Sequence, residues 1–91
     1  MPVVTLYGKP GCHLCDDARA VVQQALAGRD AELQEVDVTL DPVLERRFAE
    51  RIPVLAVDGE ELFEHFVDGR ALAERLPRSA SDRLGRARRD R

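Results

Sequence analysis

Residues Val3 to Gly28, "VVTLYGKPGCHLCDDARAVVQQALAG", change their hydrophobic period part-way along, and this constrains the fold most. Val3 to Tyr7 is short, β-branched and aromatic. It lies between Pro2 and the turn residues Gly8, Pro10 and Gly11, which predicts a buried strand. From Leu14 onward the apolar residues Leu14, Ala18, Val21, Val22, Ala25 and Leu26 recur at helical intervals, with Asp16, Asp17, Gln23 and Gln24 opposite and Gly28 as the stop. Leu33 to Val38 reads as a second strand, charged and imperfectly alternating, as suits an edge. A strand, helix and strand in succession require parallel strands and a right-handed crossover, which places the chain in the α/β class.

The remaining chain completes the pattern. Asp41 caps a short helix with Pro42 in its first turn and Val43, Leu44 and Phe48 as its apolar face. Ile52 to Val57 is a third strand that begins through a proline. Asp58-Gly59 closes a tight hairpin, and Leu62 to Val67 returns as the fourth strand. Asp68 caps a last helix with Leu72 and Leu76 facing inward and Pro77 stopping it. The order βαβαββα predicts a four-stranded mixed sheet flanked by helices, in one domain spanning residues 1–77.

Charge separates that domain from the C-terminal segment. Residues 1–77 carry eight Lys and Arg against fifteen Asp and Glu, whereas 78–91 carry six Arg against Asp82 and Asp90. The acidic body argues against nucleic-acid binding by the fold. The basic 78–91 segment, with Leu84 as its one large apolar residue, is expected to be a disordered tail. No apolar run approaches the ~20 residues of a membrane span, and Met1-Pro2-Val3-Val4 lacks the basic start of a secretory signal. Two cysteines are too few for a disulfide-stapled secreted scaffold. A cytoplasmic monomer is expected.

Cys12 and Cys15 lie three apart where the first loop becomes the first helix. Unpaired amides at a helix start favour the thiolate form of a cysteine. Cys15 falls on the same helix face one turn deeper. That geometry divides the labour: an outer sulfur attacks a disulfide, and an inner sulfur resolves the mixed disulfide. Lys9, and His13 when protonated, support a thiolate, while Asp16 and Asp17 oppose it. Arg51 and Ile52 precede Pro53 at the start of the third strand. From the residues alone the Ile52–Pro53 bond is either cis or an ordinary trans proline opening a strand. A cis bond would turn the loop toward the first helix and offer the Ile52 backbone to an extended substrate.

The stretch Tyr7-Gly8-Lys9-Pro10-Gly11-Cys12-His13-Leu14-Cys15, together with Ile52-Pro53 and Val57-Asp58-Gly59, resembles glutaredoxins of the thioredoxin superfamily across about residues 3–77. The resemblance implies a thioredoxin fold, Cys12 as nucleophile, Cys15 as resolving cysteine, and a cis Pro53 beside the sulfurs. It also implies that Lys9 supports the thiolate and meets a substrate carboxylate. Two departures stand out. His13 and Leu14 replace the usual proline and tyrosine. The glycine pair that grips glutathione is absent, because Glu64-His65-Phe66-Val67-Asp68 occupies that region and only Asp68 matches. Large side chains block the close approach that glycine permits, and Glu64 repels carboxylates. Glutathione is therefore not assumed as reductant, and no cofactor is expected.

A dithiol–disulfide oxidoreductase acting on protein or small-molecule disulfides, with glutathione or a thioredoxin-reductase-type donor, is the leading reading. The alternatives are a redox sensor or adaptor without turnover, and a metal or iron–sulfur binder. Zinc usually takes four ligands, and Cys12, Cys15, His13 and His65 make a poor set, so no metal site is assigned. His65 is expected to point outward from the last strand, Arg46 and Arg47 to form a solvated face, Tyr7 to pack in the core, and Arg51 to be a candidate for a substrate carboxylate.

Overall fold

The computed structural model describes residues 1–78. Its elements are β1 (Val3–Gly8), α1 (His13–Leu26), β2 (Glu32–Asp37), a 3₁₀ turn (Val38–Leu40), α2 (Pro42–Phe48), β3 (Val54–Val57), β4 (Glu60–Glu64) and α3 (Gly69–Glu74). The sheet order is β2-β1-β3-β4. β1 runs parallel to β2 and antiparallel to β3, and β4 is antiparallel to β3. This is the mixed, helix-flanked sheet of the expected βαβαββα order.

All four residues of β3 are buried, which explains its uninterrupted Val-Leu-Ala-Val sequence. On one sheet face, Val4, Leu6, Leu55 and Val57 pack against Ala18, Val22 and Ala25 of α1 and against Leu72 and Leu76. On the other face, Phe48 of α2 joins Val54 and Tyr7 in a second cluster that includes Cys15, Val38 and Ile52. Asp58 and Gly59 have φ of 50° and 87°, the left-handed turn that matches strand twist in a two-residue hairpin. Asp58 ties this tip to β1: its N–H donates to the Val3 carbonyl and its carboxylate accepts the Val3 N–H, both at 2.8 Å.

Several boundaries differ from the expectation. β2 ends at Asp37, because the Asp37 carboxylate accepts the Thr39 N–H at 2.9 Å and starts the 3₁₀ turn at Val38. β3 begins at Val54, because the Ile52 N–H goes to the Phe48 carbonyl at 3.1 Å and Pro53 has no N–H to give. β4 spans Glu60–Glu64 rather than reaching Val67. His65 leaves the strand with φ of 71°, and its N–H turns to the Pro53 carbonyl at 2.8 Å. Val67 is still buried, but in the loop before α3. On α1, Cys15 rather than Leu14 shares the buried face with Ala18, Val22 and Ala25, and Leu14 is 52% exposed. Val43 is likewise exposed, leaving Leu44 and Phe48 as the inward residues of α2. One residue past the expected end of the domain, Arg78 forms an isolated β-bridge with Arg29. The rest of the expected disordered tail lies outside the described residues.

Gly69 opens α3 where it meets α1. A Cβ there would lie 2.9 Å from Cγ1 of Val21, a short side chain with little rotamer freedom. Gly69→Ala should therefore destabilise the protein by about 1–3 kcal/mol despite alanine's better helix propensity. Thermal unfolding should show a midpoint lower by roughly 4 °C or more, and a second change, Val21→Ala, should remove the clash and recover part of the loss.

Candidate active site

The site begins where β1 hands over to α1. Gly11, at φ 77°, turns the chain into the helix. Cys12 is the N-cap, with extended backbone (φ −96°, ψ 114°), and its sulfur accepts the Cys15 N–H at 3.2 Å. The Cys12 carbonyl accepts the Asp16 N–H at 3.1 Å. A sulfur thus fills the acceptor position that Ser, Thr, Asp or Asn usually fills at a helix start. Cys12 is half-buried and Cys15 is 2% exposed, and both thiols are free.

Cys15 owes its burial to the end of β1. A Cβ on Gly8 would sit 3.0 Å from the Cys15 sulfur and 3.2 Å from its Cβ, so the bare backbone of Gly8 is what lets α1 settle this close. Burial, and then the hydrogen bond with Cys12, push the Cys15 thiol from 9.0 up to about 11. A backbone hydrogen bond from Lys9 pulls the other way, and the charges of Cys12 and Asp16 add to the rise. The two sulfurs therefore occupy unlike environments one helical turn apart.

The second core cluster supports them. Tyr7 stacks on Phe48, with ring centroids 4.4 Å apart and planes at 23°. The Arg47 and Arg51 guanidiniums lie 5.2 and 5.4 Å from the centre of the same Phe48 ring. Ile52 and Cys15 are buried in this cluster, with Cys12 packed against it. The Ile52–Pro53 peptide is cis, and Pro53 is fully buried.

The structure gathers only some of the expected site residues around the sulfurs. Cys12, Cys15 and Ile52 share one cluster, and Pro53 directly follows Ile52. Of the Ile52 backbone, expected to be offered to a substrate, the N–H is taken by the Phe48 carbonyl. His13 is exposed on the first residue of α1. Asp68 caps α3, its carboxylate accepting the Ala71 N–H at 3.1 Å. Lys9 is exposed and lines a cavity of about 380 Å³ with Leu6, Cys15, Arg19 and Glu35. That cavity lies on the β2 flank of β1, whereas the Ile52–Pro53 loop leads into β3 on the other flank. The Arg51 guanidinium, a candidate for a substrate carboxylate, is bound by Glu61 and, at 3.2 Å, by Glu64. Arg47, expected to be merely solvated, pairs with Glu61 at 2.9 Å. His65 points outward as expected, but from beyond the strand.

Sequence reading missed Gly8, the Tyr7–Phe48 stack and the carboxylates facing Arg51. The hairpin register, which sets Glu64 opposite Val54, is the signal that would have placed Glu64 near the Ile52–Pro53 loop. Among the described residues no group of three or more His, Cys, Asp and Glu could hold a metal ion, and no helix is long and apolar enough to cross a membrane.

A cysteine pair at the start of a helix, facing a cis-proline loop on a four-stranded mixed sheet, places the protein in the thioredoxin superfamily. Residues 3–77 match the family model described as Glutaredoxin-like domain (DUF836), and the chain belongs to that family. The X-ray structure of target protein XcR50 from X. campestris is 36% identical, with a TM-score of 0.66, over 78% of this chain and 91% of that one. The solution structure of protein Ne2328 from Nitrosomonas europaea is 27% identical, with a TM-score of 0.71, over 82% and 91%. A mutant thioredoxin from Halobacterium salinarum NRC-1 is 25% identical, with a TM-score of 0.61, over 82% and 71%.

The contrast between the sulfurs has a direct readout. At pH 7 iodoacetamide should alkylate Cys12 about tenfold or more faster than Cys15 in the folded reduced protein, as measured by peptide mass spectrometry. Because the Cys15 thiol titrates near 11, its thiolate fraction and alkylation rate should climb steadily from pH 7 toward pH 11. Equal rates at pH 7 would show that the two environments do not differ.

Proposed function

We propose that the protein is a dithiol–disulfide oxidoreductase in which Cys12 is the attacking sulfur and Cys15 the resolving one. The observation that carries this reading is the pairing itself: a half-buried sulfur that caps the start of a helix accepts the amide of a buried cysteine one turn on. The Cys12 thiolate attacks one sulfur of a substrate disulfide. A mixed disulfide forms, and the other substrate sulfur leaves as a thiolate that takes a proton from water. Cys15 then loses its proton to water and attacks the Cys12 sulfur, releasing the second substrate thiolate. Two electrons have passed to the substrate, and a Cys12–Cys15 disulfide remains for an external thiol or dithiol to reduce.

Burial, the largest cause that raises the Cys15 thiol, is the same before and after attack, but the contribution of Cys12 is not. The Cys12 charge and the hydrogen bond with Cys12 both hold the Cys15 thiol up while Cys12 is free. Once the Cys12 sulfur is in a mixed disulfide, its charge is gone and it is a poorer hydrogen-bond partner. The backbone donor at Lys9 remains. The resolving sulfur thus becomes easier to ionise at the step that needs it. Family membership and the superfamily fold support the same reading.

Trapping tests it. Cys15→Ser should hold a substrate thiol on Cys12 as a stable mixed disulfide, while wild-type protein should release both substrate thiols and form its internal disulfide. Cys12→Ser should do neither. A wild-type protein that forms the internal disulfide but reduces no disulfide catalytically, with either glutathione or a thioredoxin reductase as donor, would instead be a sensor without turnover.

A further inference from the structure

Polar groups around the Ile52–Pro53 loop are largely committed to one another. The Arg51 N–H donates to the Phe48 carbonyl at 2.8 Å, and the Ile52 N–H to the same carbonyl at 3.1 Å. The His65 N–H is shared between the carbonyls of Pro53, at 2.8 Å, and Arg51, at 3.3 Å. Asp68 is occupied as a helix cap. The guanidinium of Arg51 is the cation that adjoins this loop, and it is held from two sides. Glu61 bonds its Nη2 and Glu64 its Nε, both from β4, while the Phe48 ring lies beneath. These pairs keep Arg51 firmly charged and the Glu61 carboxyl below its usual range. Two large apolar side chains next in sequence to these groups are exposed. Leu14 lies between the cysteines, and Phe66, 71% exposed, comes directly after the His65 that bonds the loop.

An anionic ligand needs an available cation or free amides, and here the Arg51 guanidinium and the Arg51, Ile52 and His65 amides are committed to the protein's own carboxylates and carbonyls. We propose that Glu61 and Glu64 are specificity-determining residues: by holding the Arg51 guanidinium they set the site against disulfides that carry carboxylates and toward disulfides flanked by uncharged, apolar groups. The proposal rests on the thiol–disulfide exchange reading and adds its substrate class. It assigns Arg51 a masked state, in which the cation braces α2, the Ile52–Pro53 loop and β4 and makes no contact with substrate.

The test compares two disulfides on the reduced protein. One is glutathione disulfide, which carries carboxylates, and the other is 2-hydroxyethyl disulfide, which is neutral. The rate constant for oxidation of the protein thiols is measured for each, and the ratio of the two cancels any change in the intrinsic reactivity of Cys12. Glu61→Gln with Glu64→Gln should raise the anionic-to-neutral ratio by about fivefold, near the upper worth of an exposed ion pair. High salt should erase the gain. Neutralising Glu61 also releases Arg47, so Arg51→Ala added to the double variant assigns the effect: the ratio should fall back to the wild-type value. Glu60→Gln, which removes a carboxylate at the far end of β4 where it pairs with Arg75, should leave the ratio unchanged. If the double variant unfolds, Glu64→Gln alone, half-exposed at its side chain, should give a smaller rise of the same sign. A ratio that stays at the wild-type value, or that rises equally in Glu60→Gln, would overturn the proposal. Protein thiols that neither disulfide oxidises would overturn the exchange reading beneath it.

Discussion

The Cys15 N–H donates to the Cys12 sulfur at 3.2 Å, and this contact depends on how closely α1 can approach the end of β1. Gly8 is where that approach is tightest. A helix set farther out would leave the Cys15 thiol in water, and the burial that pushes it up to about 11 would be lost. The same displacement would separate Cys15 from Val38, Phe48, Ile52 and Val54, the residues that back the cis-proline loop. The asymmetry of the two sulfurs and the seating of the loop therefore share one origin, the fit of a helix start against a strand end.

Two core clusters divide the work of the molecule. The larger spans β1, β3, α1 and α3 and holds the fold. The smaller lies at the sulfur end of the sheet and includes the Tyr7–Phe48 stack. Closing a bond between Cys12 and Cys15 replaces an amide-to-sulfur hydrogen bond by a covalent link. Any repacking this requires falls first on the smaller cluster, whose members touch the sulfurs. The α1–α3 packing around Val22 and Leu72 lies in the other cluster and need not respond. Interiors are close-packed and transmit strain, and the residues packed with the two sulfurs belong to the smaller cluster.

Much of this was legible in the sequence. The change of period between Val3–Tyr7 and the helix beyond Leu14 located β1 and α1, and Asp58-Gly59 located the hairpin, because these signals are local. The differences elsewhere were mostly non-local, and the one at Leu14 was local. Leu62 to Val67 carries no local stop signal, and what ends β4 is a hydrogen bond from His65 to Pro53, twelve positions back. Leu14 is the more apolar residue, yet the phase set by Ala18, Val22 and Ala25 selects Cys15 for burial. That phase was available in the spacing; hydropathy alone pointed to the wrong neighbour. Arg51, two residues before Pro53, read as a candidate for a substrate carboxylate, and nothing local revealed the two glutamates that the hairpin returns to it.

That last case bears on how charge should be read in a small acidic domain. A lone arginine next to a reactive sulfur attracts carboxylates. The same arginine between two glutamates is close to neutral or negative in its local field, so it offers an incoming anion little. Here the second state costs little, because the pairs are exposed and solvent screens them. It also leaves the guanidinium in place as a brace on the Phe48 ring. The brace on this flank and the charge that an incoming ligand would meet therefore rest on the same three side chains, Arg51, Glu61 and Glu64.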